Sequence, residues 1–318
     1  MRCLRLYSSK SAHKGLGLEM ELTSAIYHRC WPNIDAASRL SAKLSETTDA
    51  SDATSARENA SIPTVFVHGL FGSIENLGMI TRLLKDDFLI YAIDLPNHGR
   101  SQHTTETSLE AMATAVLRWM DSLSLGCVNL VGHSLGGKVC MELALRHPDR
   151  VRRLVVADIA PVAYPRRHDD IFAAFRAVDL NTVESRADAD TLMRPHVTVA
   201  STRSFLLKNL EKNTDKANDK LGANNAWRWR LNIAGIESGY HHIISANTKG
   251  LEPFDKPVLF IKGENSNYIL PEHQESILSL FPRAGVKVIN NTEHWLHAEK
   301  PEIFAGLVRR FLSLSLKG

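Results

Sequence analysis

The chain has 318 residues, 44% of them hydrophobic, and its 38 basic and 35 acidic residues leave a formal charge of +3. These values are typical of a soluble globular protein with one large domain or two modest ones. The charges are scattered, with no basic stripe and no zinc-ligand spacing, so we do not expect nucleic acid as a partner. No run reaches the roughly 18 apolar residues of a membrane-spanning helix, and we expect no transmembrane segment.

The first 18 residues have the composition of a targeting segment. They carry Arg2, Arg5, Lys10 and Lys14 among serines, contain no acidic residue and precede no apolar run. This pattern is typical of a mitochondrial transit peptide and not of a secretory signal. A basic start without targeting value, in a cytoplasmic protein, is the alternative. The cysteines at positions 3, 30, 127 and 140 show no paired spacing, which indicates free thiols in a reducing compartment.

Residues 19–61 contain a strand-like start and a long polar stretch. A first strand is predicted at residues 19–29. Residues 33–61 are dominated by Ala, Ser and Thr and contain no aromatic residue. That composition predicts a flexible surface insertion.

A regular pattern begins after residue 61. Helical patterns at 76–86, 107–120 and 137–147 separate continuous apolar runs of strand length at 64–67, 88–93, 127–131 and 154–157. Continuous apolarity indicates strands that are covered on both faces, and therefore a parallel sheet. The alternation predicts an α/β protein with a doubly wound, mostly parallel sheet and ligands at the carboxyl ends of its strands.

The alternation is interrupted between residues 161 and 255. This segment is mostly polar and helical in pattern, including residues 169–178 and 201–211, and we interpret it as a helical cap inserted after the sixth strand. Strands at 257–261 and 286–289 then alternate with helices near 272–280 and 301–312. The predicted core therefore comprises residues 62–160 and 256–318.

Ser134 is the predicted nucleophile. It lies in the pentapeptide Gly132–Gly136 (GHSLG), which follows a strand-like run and precedes a helical one. In this strand–turn–helix context the motif G-x-S-x-G exposes a strained serine, and the glycines allow neighbouring chain segments to approach closely. A glycine-rich turn without chemistry is the alternative interpretation.

A serine that attacks an acyl carbon also needs donors for the developing oxyanion. In this type of turn one donor is the backbone N–H after the nucleophile, here Leu135, and the second normally comes from the loop after an earlier strand. Residues 68–72 (HGLFG) follow the strand at 64–67. We predict the N–H of Leu70 as the second donor, with that of Phe71 as the alternative.

The general base must be selected by position, because the chain has 14 histidines. The order in such folds is serine, acid, histidine. His294 directly follows the last predicted strand, where a loop can return over the sheet edge, and His297, closer to the closing helix, is the alternative. His68 and His98 precede the serine and are interpreted as loop-structuring or pocket residues, and the side chain of His133 is expected to point away from the substrate.

The acid is the least direct assignment. It often lies three residues past a glycine in the loop after the strand at 258–261, but that position is Ser266 here, which cannot stabilise an imidazolium. Glu264 is close but lies almost at the end of the strand. Asp158 ends the strand at 154–157 and is predicted to orient the histidine; capping of the following turn is the alternative. We expect no metal and no organic cofactor.

These motifs together resemble a known group of proteins. The chain resembles the α/β-hydrolases, and among them the group of alpha/beta-hydrolase domain-containing protein 11, related bacterial esterases and the fungal mitochondrial ethanol acetyltransferases. Glu293 stands where their pattern has glycine. The segments that carry the resemblance cover most of the chain from Thr64 onward: His68–Ser73, Asn76–Gly78, Asn97–Ser101, Gly132–Lys138, Asp158–Pro161, Arg167–Ala174, Trp229–Asn232, Gly263–Ser266 and His294–Pro301.

The resemblance implies an α/β-hydrolase fold with the acid at Asp158, Ser266 assisting near the histidine, and residues 161–255 as a small helical lid. The function expected is hydrolysis of small-molecule carboxylic esters or thioesters of short to medium acyl chains through an acyl-Ser134 intermediate. Alcohol O-acetylation with the same triad is the alternative. A non-catalytic hydrolase-like protein that binds or protects a partner is a third hypothesis. The sequence does not predict an oligomeric state.

Overall fold

The computed structural model describes residues 25–31, 62–213, 226–247 and 251–314. The predicted presequence at 1–18 and the predicted insertion at 33–61 lie outside the described residues. Among the residues described, no helix combines the length and apolar composition needed to cross a bilayer.

The described residues form a seven-stranded sheet in the order β1-β3-β2-β4-β5-β8-β9. All neighbours in it pair in parallel except β1, which runs antiparallel to β3. This mostly parallel sheet confirms the fold class predicted from the continuous apolar runs. Its strands are β1 His28–Trp31, β2 Thr64–Val67, β3 Ile90–Ile93, β4 Val128–His133, β5 Val151–Ala157, β8 Val258–Gly263 and β9 Ala284–Ile289.

Helices cover both faces of the sheet. Alternate residues of β5 face opposite sides, so that Val156 joins one hydrophobic cluster and Val155 the other. The first cluster contains residues of α2 and α3, and the second contains residues of α1 and α11. The helices of the core are α1 Gly78–Leu84, α2 Leu109–Ser122, α3 Leu135–Arg146, α9 Gln274–Leu280, α10 Leu296–Glu299 and α11 Pro301–Ser313.

The segment between β5 and β8 contains five helices and a small antiparallel sheet among its described residues. This segment was expected to follow the sixth strand of the chain, and it follows the fifth strand among the described residues. Residues 1–24 lie outside the described part. The strands of its small sheet were not predicted, because three residues are too short for a periodic signal. Its elements are α4 Asp169–Ala177, α5 Arg186–Met193, α6 Ala200–Leu206, β6 Leu210–Lys212, β7 Trp227–Trp229, α7 Ile233–Ser238 and α8 Tyr240–Ile243.

Several boundaries differ from the prediction. The first strand is β1 at His28–Trp31, whereas it was predicted at 19–29, of which 19–24 are outside the described residues. β4 continues to His133, so that the sheet leads directly into the nucleophile turn. Of the described cysteines, Cys140 is buried and Cys127 only partly so.

Candidate active site

Four loops meet at the carboxyl edge of the sheet. They follow β2, β4, β5 and β9, and they carry Leu70, Ser134, Asp158 and His294 respectively. Because parallel strands end at the same edge, residues that are far apart in the chain become neighbours there.

The backbone of Ser134 is strained in the way the glycine-flanked motif predicted. Its φ is 52° and its ψ is −120°, outside the regions that L residues prefer, and its N–H donates to the carbonyl of Ala157. A side chain on Gly132 would come within 2.3 Å of the carbonyl oxygen of Gly136, and one on Gly136 within 2.4 Å of that of Val67. Glycine is therefore required at both positions for the turn to form.

His294 lies between Ser134 and Asp158. Its Nδ1 is 2.8 Å from Oδ2 of Asp158, and its Nε2 is 3.0 Å from Oγ of Ser134. The Asp158 carboxylate can only accept a hydrogen bond, so Nδ1 carries the proton and Nε2 offers its lone pair to the serine hydroxyl. This is the order of hydrogen bonds that serine nucleophilic catalysis requires.

Asp158 is held from several sides. It is fully buried, its φ is 52°, and its backbone N–H donates to the carbonyl of Ile261. The N–H of Gly263 donates to Oδ1, 3.0 Å away, and the hydroxyl of Ser266 donates to Oδ2, the oxygen that also accepts from His294. These donors stabilise the ionised carboxylate in a buried position.

Glu264, the alternative acid, has a different partner. Its Oε2 accepts from the backbone N–H of Asn291, 2.8 Å away. Glu293, one residue before the histidine, is exposed, and its N–H donates to Oε2 of Glu299. It is not among the described non-glycine residues with positive φ, so the loop conformation does not require glycine there.

The predicted oxyanion donors belong to two chain segments next to the serine. Leu135 is the first residue of α3, so its N–H has no acceptor within the helix. A side chain on Gly69 would lie 3.1 Å from Cβ of Ser134, so the backbone just before Leu70 passes close to the nucleophile. Phe71 has φ 60°, and its carbonyl accepts from the side-chain amide of Asn209.

Comparison with known proteins identifies the family of the chain. The model of the family described as "alpha/beta hydrolase fold" matches residues 63–301. The chain belongs to this family. The predicted family and fold are thereby confirmed.

Several hydrolases of known name are similar to the chain. Esterase YbfF of Escherichia coli K12 is 36% identical over 82% of this chain and 96% of its own length. The sn-1-specific diacylglycerol lipase ABHD11 of Mus musculus is 36% identical over 80% of this chain and 82% of its own length. Ethanol acetyltransferase 1 of Wickerhamomyces anomalus is 30% identical over 80% of this chain and 69% of its own length. A solved structure, a marine microorganism esterase, shares 37% identity over 79% of this chain and 95% of that one, with a TM-score of 0.74.

His133 has a structural contact in this hydrolase that the sequence did not indicate. Its Nε2–H donates to the backbone carbonyl of His294, 2.8 Å away, and so ties the histidine loop to the nucleophile turn. Burial lowers its pKa well below the usual range, which keeps the ring neutral. The residue borders the cavity beside Ser134. That its side chain points away from the substrate stays a prediction.

The loop that carries Leu70 is anchored by His68. Nε2 of His68 accepts from the N–H of Leu95, so its Nδ1–H donates to the carbonyl of Gly69, 2.8 Å away. Burial lowers the pKa of His68 to about 4, which keeps it in this neutral form. His297, the alternative base, is also buried; its ring centre is 4.3 Å from that of His133, and burial lowers its pKa to about 4.

Two cavities meet at the nucleophile. The wide cavity has a volume of about 230 Å³ and is lined by Phe71, His294 and Trp295, among others. The narrow cavity has about 40 Å³, and residues of α8 and of the start of α3 line it. The two share the walls formed by Leu70, Ser134, His168 and Tyr268.

Tyr268 connects this wall to the base. Its ring stacks on the imidazole of His294 with a centre-to-centre distance of 3.9 Å and an interplanar angle of 18°. Its backbone carbonyl accepts from the hydroxyl of Tyr164, at 2.5 Å. A stacked aromatic ring restricts the orientation of the imidazole and can stabilise its cationic form. Tyr268 was not predicted, because stacking depends on how two loops meet.

Proposed function

We propose that this protein is a serine hydrolase that cleaves carboxylic esters. The proposal rests on the continuous chain of hydrogen bonds from Ser134 through His294 to Asp158. The esterase relatives and the family match support the same reaction class. Thioesters of the same acyl groups present an equivalent electrophilic carbon and are included in the proposed substrates.

In acylation, the proton of the Ser134 hydroxyl moves to Nε2 of His294 as the serine oxygen bonds to the carbonyl carbon. The carbonyl oxygen becomes an oxyanion, which the N–H groups of Leu70 and Leu135 are proposed to bind. The intermediate collapses as the bond to the leaving alcohol breaks, and Nε2–H gives its proton to that alcohol oxygen. Asp158 stabilises the imidazolium throughout.

In deacylation, water takes the place of the alcohol. Its proton moves to Nε2 of His294 while its oxygen bonds to the acyl carbon, and the collapse that follows returns the proton to Ser134 and releases the acid. The side chain of His294 is 22% exposed, so water can reach the base.

The primary test measures hydrolysis of p-nitrophenyl acetate and labelling by a fluorophosphonate probe. The wild type is expected to do both, and Ser134→Ala is expected to lose labelling and to lose roughly a millionfold in kcat. Ser73→Ala, a serine of the neighbouring loop, is the matched control and should keep both. A wild type that the probe does not label contradicts the proposal and favours the non-catalytic binding hypothesis.

Acyl transfer to an alcohol is the second candidate, and the similarity to an ethanol acetyltransferase favours it. Both reactions share the acyl-serine step and differ only in the acceptor. The pure protein is incubated with ethyl acetate and, separately, with acetyl-CoA and ethanol. Release of acetate faster than ester synthesis is expected; synthesis well above hydrolysis would make the transferase the better description.

Residues 161–255 are proposed to act as a lid over this site. The helix α6 contributes Phe205 to the wide cavity, and α8 contributes Ile243 to the narrow one. Changes in this segment should therefore alter which esters are used.

A mitochondrial location is proposed from the composition of residues 1–18. The test fuses residues 1–24 to a fluorescent protein in eukaryotic cells. Co-localisation with a mitochondrial dye supports the proposal. Diffuse fluorescence supports the cytoplasmic alternative. The matched control changes Arg2, Arg5, Lys10 and Lys14 to Gln, which should abolish co-localisation with the dye.

A further inference from the structure

We propose that the narrow cavity binds the acyl part of the ester and the wide cavity binds its alcohol part. The substrates would then be esters of short aliphatic acids with larger apolar alcohols. The proposal rests on the proposed ester hydrolysis and adds to it the direction in which the ester lies.

The position of His294 sets that direction. After the serine attacks, Nε2 of His294 must protonate the leaving alcohol oxygen, so the alcohol lies on the side of the histidine. His294 and Trp295 line the wide cavity and not the narrow one. With the carbonyl oxygen held by the two backbone N–H groups, the acyl chain has to extend away from His294, and the narrow cavity is the one that Ser134 lines without His294.

The walls of the narrow cavity fit a short aliphatic chain. Leu135, Ile159, Ile243 and Ile244 supply branched aliphatic side chains around it. Lys138 also lines it, but its ammonium donates to the carbonyls of Val162 and Ser245. The nitrogen of Lys138 is thus already bound, and burial lowers its pKa to about 7. Arg167 also lines the cavity, and its guanidinium donates to Oδ1 of Asn267.

Volume limits the length of that chain. The narrow cavity has about 40 Å³, whereas the wide cavity has about 230 Å³. We therefore expect acetyl, propionyl and butyryl chains to fit the narrow cavity better than an octanoyl chain.

The wide cavity suits a larger and flatter group. Its volume is about 230 Å³, and the rings of Phe205 and Trp295, whose centres are 5.5 Å apart, form part of its wall. Aromatic walls of this kind favour planar or bulky apolar alcohols.

The experiment uses the full-length protein and a series of p-nitrophenyl esters from acetate to dodecanoate. For the wild type, kcat/KM is expected to peak at butyrate or shorter and to fall at least tenfold by octanoate. Ile244→Ala should raise the octanoate-to-butyrate ratio about tenfold, because discrimination per methylene in an apolar pocket is typically tenfold or more. Ile244→Val removes one methyl group and should raise the same ratio by a smaller factor. Because this change is small, it tests the inference even if Ile244→Ala fails to fold.

Phe205→Ala is the matched control, since Phe205 is also a partly buried cap residue but lines only the wide cavity. It should leave the octanoate-to-butyrate ratio within twofold and change the preference between 2-naphthyl butyrate and ethyl butyrate. A wild type with highest kcat/KM at octanoate or longer overturns the inference. The inference is also overturned if Phe205→Ala changes the octanoate-to-butyrate ratio and Ile244→Ala does not.

Failure of the inference is distinguishable from failure of the proposed function. If the wild type hydrolyses p-nitrophenyl esters and Ser134→Ala does not, ester hydrolysis stands whatever the chain-length optimum. If Ser134→Ala hydrolyses them as fast as the wild type, the proposed function fails and the acyl-site inference fails with it.

Discussion

The sheet edge and the cap hold their functional side chains in different ways. At the sheet edge, Ser134 and Asp158 have strained backbones that strands on either side enforce, and Asp158 is fully buried with three donors on its carboxylate. In the cap, Phe205 and Ile244 are only partly buried and contribute apolar contact alone. We therefore expect substitutions at the sheet edge to change the rate of the reaction, and substitutions in the cap to change which esters are used.

Polar and apolar contacts join the two regions. The side-chain amide of Asn209 in the cap donates to the carbonyl of Phe71, and that of Asn232 donates to Oδ1 of Asn97. Arg230 binds Glu75 through both of its terminal nitrogens. The ring of Phe172 in the cap also packs edge-on against that of Phe71.

The largest expected effect comes from the acid at the sheet edge. Asp158→Asn removes the charge that orients His294 and stabilises its cation, and kcat for p-nitrophenyl acetate should fall about ten-thousandfold. Glu264→Gln is the matched control and should change kcat less than twofold, because Glu264 binds the N–H of Asn291 instead. If the two variants exchanged these effects, the acid would be Glu264.

Acid should destabilise the core more than the cap. Burial lowers the pKa of His68, His168 and His297 to about 4 and that of His98 to about 3, from an ordinary value of 6.5. Three of these four histidines are in the core. Between pH 6.5 and 4 the unfolded chain therefore binds more protons than the folded one. The stabilisation is complete above pH 6.5 and is lost as the pH falls towards 4.

We expect the free energy of unfolding in urea to fall by on the order of a few kcal/mol over that range. His297→Leu removes one of the titrating groups and should make the pH dependence shallower. A free energy of unfolding that stayed constant from pH 6.5 to 4, or rose, would contradict this prediction.

Ser266→Ala is expected to have a smaller effect at the sheet edge. It removes one of the donors to Asp158 but leaves the N–H of Gly263 and the imidazole of His294 in place. We expect kcat to fall about tenfold, since one charge-assisted hydrogen bond contributes on the order of 1.5 kcal/mol. Ser266→Thr keeps the hydroxyl and should restore most of kcat. Equal losses of kcat in Ser266→Ala and Ser266→Thr would indicate that Ser266 acts through packing and not through its hydroxyl.

The smallest effect is expected from a cap contact. Arg230→Gln breaks the ion pair with Glu75, in which the side chains are 8% and 37% exposed respectively. The free energy of unfolding should fall by about 1–2 kcal/mol, and kcat for p-nitrophenyl acetate should stay within twofold. A large loss of kcat would show that the cap contributes to the chemistry and would remove the distinction between the two regions.

Local sequence signals were sufficient for the parallel sheet and for the nucleophile turn. An apolar run of strand length can be recognised from neighbouring residues alone. The same holds for the glycines around Ser134, because a tight strand-to-helix turn requires them. Chain order narrowed the base to His294 or His297. The resemblance, and not the spacing, implied Ser266. The structure brings Ser134, His294, Asp158 and Ser266 together, and their catalytic roles remain predictions.

Other features depend on contacts between segments distant in the chain. His133 binds the carbonyl of a residue 161 positions later. Tyr268 stacks on His294, and Ile244 and Phe205 face different cavities, although nothing in their immediate neighbours distinguishes them. Periodicity and motifs report which face of a strand or helix is buried and where a turn falls. Which loops meet over the sheet edge, and how much space they leave around Ser134, follows only from the packing of the whole chain.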